Sequence, residues 1–286
     1  MRIVSLLPSA TEILFAIGAG PDVVGVTHEC DFPAEAALLP HVTSSALAPA
    51  ASSAEIDRHV RHSLHEGSSL YFLDADLLER LRPDLIVTQE LCAVCAVSYD
   101  IVDRAVRRMR GDPSLVSLEP SSLDDVFATI AFLGELTGRE AGAASLLRAL
   151  RSRVDALQSR ADSRTERPRV LVLEWTDPPM SGGHWTPGLI ELAGAIPVLG
   201  NPGADSQALE WSAIAQEDPD AIVVGPCGFD LPHTHRAIAD LADAEHWRSL
   251  RAVRDGRVYA IDGSAYLNRP GPRLVDTAEI VAAAIA

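Results

Sequence analysis

Pro83-Asp84-Leu85-Ile86-Val87-Thr88-Gln89-Glu90-Leu91-Cys92 returns further along the chain as Pro219-Asp220-Ala221-Ile222-Val223-Val224-Gly225-Pro226-Cys227. Each copy is a short apolar run that follows a helix-like segment and enters a loop with a cysteine. Such a run reads as a buried strand. Arg2-Ile3-Val4-Ser5-Leu6 and Arg169-Val170-Leu171-Val172-Leu173 make a second pair in the same order. The chain therefore reads as two similar, Rossmann-like α/β lobes. Open α/β sheets bind ligands outside the carboxyl ends of their strands. Two such lobes facing each other predict a ligand cleft between them.

The spacing predicts a first lobe over residues 1–137, a connecting helix over 138–164 and a second lobe over 165–286. In the first lobe, strands are expected at 3–6, 23–27, 85–88 and 115–118, with helices at 11–17, 74–81, 98–110 and 121–136. Ser9 is the expected N-cap of the first helix, with Glu12 as its capping-box partner. Ser121 or Ser122 should cap the last. Residues 40–70 lack periodicity and read as a loop with a short helix near 55–65. Between Arg139 and Ser163 there is no proline, and Leu146, Leu147, Leu150, Val154 and Leu157 recur at helical spacing. That composition suits a rigid connector better than a flexible linker. In the second lobe, strands are expected at 170–174, 196–199, 221–224 and 258–261, and helices at 187–193, 211–216, 237–241 and 273–285.

The bulk numbers exclude several functions. A net charge of −16 argues against nucleic acid and anionic membrane surfaces as partners. No apolar run approaches the ~20 residues of a membrane helix, so no membrane insertion is expected. The first strand begins almost at Met1 with no basic and apolar leader, which sets cytoplasmic as the expected location. All 24 basic residues are arginine, which leaves no lysine for a Schiff base or a P-loop. No nucleophile elbow or catalytic triad surrounds any serine, and no catalytic residue is expected.

Several further phrases resemble a known family. These are Leu7-Pro8-Ser9-Ala10-Thr11-Glu12, Gly25-Val26-Thr27 ahead of Asp31-Phe32-Pro33, and Arg82-Pro83-Asp84-Leu85-Ile86-Val87. The chain resembles the helical-backbone (class III) substrate-binding proteins of ABC importers over nearly its whole length, including the long helix. Glu174-Trp175-Thr176-Asp177-Pro178-Pro179, Gly183-His184-Trp185-Thr186-Pro187, Trp211 and Asn268-Arg269-Pro270-Gly271-Pro272-Arg273 are most similar to the cobalamin-binding branch. The resemblance implies two α/β lobes joined by one rigid helix, and a monomer. It implies a corrinoid ligand, cobalamin or a precursor, with no catalytic cofactor. The partner would be an ABC permease or a corrinoid-handling protein. Relatives that dock on a permease carry an exposed acidic residue on each lobe. Asp76 matches that place on lobe one, whereas Ser212 stands at the matching place on lobe two, with Glu210 close by. With the missing leader, this points to intracellular sequestration, salvage or hand-over instead of import.

Candidate ligand contacts follow. Trp175, Trp185 and Trp211 are expected to face the cleft, since aromatic faces give a corrin disc large apolar contact. Tyr266 and Arg269 would bond its polar rim. Pro8, Ser9 and Ala10 sit at a helix start that offers backbone N–H groups. Glu29, Cys30, Gln89, Glu90, Leu91, Cys92 and Cys227 lie in loops after strands, as does His184, a candidate axial ligand for cobalt. The cysteines leave three readings open: packing or ligand contact, a zinc or iron–sulfur site of Cys30, Cys92, Cys95 and Cys227, or a redox pair of Cys92 and Cys95. A metal or iron–sulfur redox protein is the rival of a different class.

Overall fold

The computed structural model describes residues 1–45, 52–66, 71–89, 99–109 and 111–286. It divides into two compact units, Met1–Pro49 with Arg58–Glu119 and Phe127–Arg148, and Ala50–Asp57 with Pro120–Val126 and Ala149–Ala286. The first lobe runs β1 (Ile3–Ser5), α1 (Pro8–Ala16), β2 (Val23–Gly25), β3 (Thr43–Ser45), α2 (Ser53–Glu66), β4 (Tyr71–Leu73), α3 (Ala75–Leu81), β5 (Leu85–Thr88), α4 (Tyr99–Val106) and β6 (Ser114–Ser117), then α5 (Leu123–Thr137) and α6 (Glu140–Asp162). Its main sheet is parallel in the order β2-β1-β5-β6.

The second lobe runs β7 (Arg169–Thr176), β8 (Pro179–Ser181), α7 (Thr186–Leu192), β9 (Ile196–Pro197), α8 (Trp211–Glu217), β10 (Ala221–Val224), α9 (Leu231–Asp240), α10 (Glu245–Arg248), α11 (Arg251–Arg254), β11 (Val258–Ala260) and α12 (Leu274–Ala284). Parallel pairing of β9 to β7, β7 to β10 and β10 to β11 repeats the first lobe's order. The strand β8 is an antiparallel addition on the far half of β7. The repeated phrases are thus the paired inner strands of both sheets. All four residues of β5 and all four of β10 are buried. Strands covered on both faces carry continuous apolar runs instead of alternating ones.

One interaction sets the register in both lobes. The Arg2 amide donates to Asp84 Oδ2 at 2.7 Å, and the Asp84 amide donates back to the Arg2 carbonyl at 2.7 Å. In the second lobe, the Arg169 amide donates to Asp220 Oδ2 at 2.7 Å and the Asp220 amide to the Arg169 carbonyl at 2.8 Å. Each aspartate thus aligns its strand with the neighbour before the ladder begins, giving Ile3↔Leu85 and Val170↔Ala221. The Arg169 amide, with burial opposing it and Arg251 assisting, holds the Asp220 carboxyl below the usual range.

Most expected elements are present, with informative differences. Helix α1 starts at Pro8 with Leu7 as N-cap and no side-chain cap, so Ser9 is not the cap. Proline at the first helical position has its φ preset and needs no N–H. Ser9 then falls inside the first turn. For α5 the cap is Ser122, whose hydroxyl accepts the Asp125 amide and donates to the Asp125 carboxylate. Helix α9 begins at Leu231, six residues earlier than expected, because Pro232 sits in the first turn under the Asp230 cap. The antiparallel pair β3–β4 was not expected, since Thr43-Ser44-Ser45 has no apolar signal and pairs with residues far along the chain.

Helix α6 is 23 residues long. Near its start Gly142 lies so close to α1 that a Cβ would stand 2.1 Å from the Ile17 carbonyl oxygen. Further along, Arg153 reaches Glu279 through Nε at 3.0 Å and Nη2 at 2.7 Å, and also pairs with Asp276 of α12.

Asp84→Ala and Asp220→Ala are expected to destabilise similarly, by about 1 kcal/mol each, the net scale of a partly exposed hydrogen bond. Chemical denaturation measures this. The Asp220 carboxyl is depressed in the folded state, so its contribution is present above the ordinary carboxylate pKa. It fades as pH falls through the folded pKa. The gap between wild type and Asp220→Ala should therefore close in acid.

Candidate functional site

The loops after the strand ends of each sheet form its carboxyl edge. In the first lobe, β1 turns into α1, where Ser9 and Ala10 are buried at 6% and 0% exposure. Their side chains pack inward, and Pro8 is half-buried beside them. After β2 come His28, Glu29 and Cys30. Cys30 is buried, with Sγ 3.1 Å from Thr11 Oγ1 and 3.4 Å from Thr27 Oγ1. The Tyr71 hydroxyl donates to Glu29 Oε1 at 3.3 Å, and His28 Nδ1 lies 2.7 Å from Thr43 Oγ1. Burial, then the charge of His41, lowers the His28 pKa. Gln89 is half-buried at the end of β5. Glu90, Leu91, Cys92 and Cys95 lie outside the described residues.

In the second lobe, Glu174 near the end of β7 anchors the edge. Its Oε1 accepts the Thr186 hydroxyl at 2.7 Å and its Oε2 the Ser206 hydroxyl, with the Gly183 amide as a third donor. Burial nevertheless raises the carboxyl pKa against the three donors. The residue as a whole is half-buried. The carboxyl fastens the start of α7 and the loop before α8 to the sheet. His184 lies in this corner with φ at 48°, its amide bonded to the Ala204 carbonyl at 2.6 Å. Its Nε2 is buried 3.2 Å from Asp205 Oδ1, a close approach without hydrogen-bond geometry. That atom has no surface for cobalt as it stands, although Asp205 is 90% exposed and free to turn away.

The three tryptophans expected to face the ligand have three different settings. Trp175 is half-buried at the end of β7, its ring 5.4 Å from Phe229 and its Nε1 donating to the Asp177 carbonyl at 3.1 Å. Phe229 lies 5.8 Å from His233. Trp185 is a correction: it is 8% exposed and its Nε1 donates to the Leu267 carbonyl at 2.8 Å, so it is lobe core. Trp211 is half-buried against His246 and Trp247, at 4.4 and 6.0 Å, so its ring serves the packing of α8 on α10. Cys227 is half-buried after β10, its amide bonded to the Glu174 carbonyl. Tyr266 stacks under Arg273 at 5.4 Å and packs on the core, and Arg269 is 6% exposed. Among the described residues, no group of three or more His, Cys, Asp or Glu can hold a metal.

Sequence reasoning missed Glu174 as an anchor, together with Thr186, Ser206 and Phe229. A lone acidic residue closing the apolar run Val170–Leu173 was the available signal, since a buried carboxylate must find donors. Asp76 and Ser212 do share a position: each is the second residue of its helix, α3 or α8, and each is exposed. Glu210, the exposed N-cap of α8, makes no side-chain cap bond. A recess of about 660 Å³ lies beside the end of α1 and the start of β2, lined by Phe15, Pro21, Phe32 and Leu39. Phe32 and Leu39 bring it into the segment that follows β2. No helix is long and apolar enough to cross a membrane among the described residues.

Comparison with known proteins is consistent with this layout. The family described as periplasmic binding protein matches residues 3–265. An uncharacterised ABC transporter substrate-binding lipoprotein of Bacillus subtilis, YvrC, is 27% identical over 99% of this chain and 79% of its own length. The vitamin B12-binding protein of Vibrio cholerae is 22% identical over 98% of this chain and 87% of its own. In structure, the periplasmic heme-binding protein RhuT of Roseiflexus sp. RS-1 in its apo form superposes with a TM-score of 0.73. It is 23% identical and covers 99% of this chain and 97% of its own.

Glu174 generates a pH prediction. Its folded pKa is raised, so its contribution is fully present below the ordinary glutamate pKa and is lost as pH rises through the folded value. The melting temperature of wild type minus that of Glu174→Gln should therefore fall as pH is raised from 4.5 to 8. A difference that stays flat or rises would show that the carboxyl is ionised in place.

Proposed function

From the premise that this chain belongs to the periplasmic binding protein family, we propose that it binds a corrinoid, cobalamin or a precursor, at the carboxyl-edge loops of its lobes. The family and fold are those of solute-binding proteins, not enzymes. They bind small molecules and work with ABC transporter permeases. A cobalamin- or haem-type ligand is the class that the named relatives support.

One observation carries the choice of a corrinoid. Trp175 lies over the buried Phe229 as an apolar ledge at the edge of lobe two, and the charges beside Phe229 are of both signs, the Asp230 carboxylate and the Arg236 guanidinium. A corrin disc ringed by neutral amides suits such an edge. Haem, with two propionates, suits a cationic rim. His184 as a cobalt ligand requires Asp205 to turn away. The chain would act as a monomer in the cytoplasm, sequestering or handing over its ligand. The Ser212 position, which lacks the carboxylate of Asp76, supports that role over permease docking.

Titration with cyanocobalamin and with haemin, followed by absorbance and tryptophan fluorescence, tests the reading. Cyanocobalamin should bind at one equivalent with quenching. Trp175→Ala should weaken it by about 1–3 kcal/mol, the scale of an interface aromatic, with little change in melting temperature. Trp185→Ala should instead cost about 3–5 kcal/mol of stability as a buried aromatic truncation. Uptake of haemin alone would replace the corrinoid reading with a haem one. Cell fractionation tests the location, and a processed form recovered from the cell envelope would overturn it.

A further inference from the structure

We propose that the Thr43 hydroxyl locks His28 in its neutral Nε2–H form, so that His28 donates a hydrogen bond from the carboxyl edge of lobe one to an amide carbonyl on the ligand rim. The ligand half rests on the binding function proposed above; the tautomer half stands on geometry alone.

Thr43 is 6% exposed at the start of β3. Its Oγ1 accepts the backbone amide of His28 at 3.2 Å and lies 2.7 Å from His28 Nδ1. A hydroxyl has one proton to give and two lone pairs to receive with. If Nδ1 carried a proton, both contacts would point donors at Oγ1, and the hydroxyl proton would need another acceptor. Among the described residues none lies within bonding distance. A buried hydroxyl proton without an acceptor is costly. The satisfied arrangement has Thr43 donating to Nδ1, which leaves the ring proton on Nε2.

The surroundings agree with a neutral ring. Desolvation and His41 both disfavour the imidazolium. Tyr71 stands beside the ring, centroids 5.6 Å apart, and its hydroxyl engages the Glu29 carboxylate. That carboxylate is therefore engaged by β4. Nε2 makes no hydrogen bond to a described residue, and the ring is only half-buried. The result is a fixed, uncharged donor after β2. A neutral donor beside a carboxylate selects a neutral acceptor oxygen, which the primary amides around a corrin supply. Thr43 is then a positioning residue, acting through His28.

Nitrogen-15 NMR of histidine-labelled protein reads the tautomer without ligand. Wild type and Thr43→Ser should show His28 with the proton on Nε2, and Thr43→Val should show a mixed or reversed tautomer. For cyanocobalamin, His28→Ala and Thr43→Val should weaken binding about tenfold, the size of one hydrogen bond. His28→Gln, which keeps an N–H at a similar reach, and Thr43→Ser should bind like wild type. Haemin, with carboxylate acceptors, should be less sensitive. A proton on Nδ1 in wild type overturns the tautomer. Unchanged binding by His28→Ala, while Trp175→Ala weakens it, overturns the ligand contact and leaves the binding function standing. If wild type takes up neither probe, the binding function fails and the ligand contact with it, while the NMR still decides the tautomer.

Discussion

A single carboxylate per lobe, Asp84 or Asp220, sets where each sheet begins. It accepts the amide of the residue just ahead of the first paired position of the neighbouring strand, and its own amide bonds back to that residue's carbonyl. Register in a parallel sheet decides which side chains reach the carboxyl edge, and a slip by one residue would turn each of them to the opposite face. Everything placed at the strand ends depends on this fixed start. The Thr88 and Val224 ends, the β1–α1 turn and the Glu174 corner all stand where the clamps put them. Two lobes with separate cores use the same device at the same two places in the sequence phrase.

On these scaffolds the two edges are built differently. The first carries hydroxyls, an imidazole and a carboxylate held by hydrogen bonds that join the loop after β2 to β3 and β4. The second is organised around Glu174, which satisfies three donors from the turn after β8, the start of α7 and the loop before α8. A carboxyl that pins three segments gives a rigid corner, and rigid first contacts lower the ordering cost of binding. Trp175 projects beside that corner over Phe229 and offers apolar area with its N–H already satisfied. The ledge is apolar in the middle, with charges of both signs beside Phe229.

The repeat, the parallel strands and the long helix were legible because each rests on local pattern. Buried parallel strands must be apolar at consecutive positions, and Leu85–Thr88 and Ala221–Val224 are found as expected to the residue. Prolines misled where they opened helices: Pro8 and Pro232 occupy first turns, where the missing N–H costs nothing. The pair β3–β4 stayed hidden because its three serine and threonine positions bond to residues 71–73, and no local signal encodes a partner so far away.

The candidate site shows where sequence reading stops. By itself the sequence determined the two α/β lobes, the strand ends that carry the edges, and which side chains lie in those loops. All of these follow from periodicity and chain order. Only the tertiary structure decided which of those side chains face outward. Trp175, Trp185 and Trp211 each lie beside a strand end or a helix start, yet one covers Phe229 at the edge, one is sealed under the Leu267 carbonyl and one packs against Trp247. Glu174 is one residue away from Trp175 and had no role assigned from the sequence, although it joins Thr186 and Ser206 across 12 and 32 residues. Burial and hydrogen-bond partnership are properties of segments brought together by folding. A residue's loop assignment fixes its neighbourhood along the chain and leaves its neighbours in space to be set by packing.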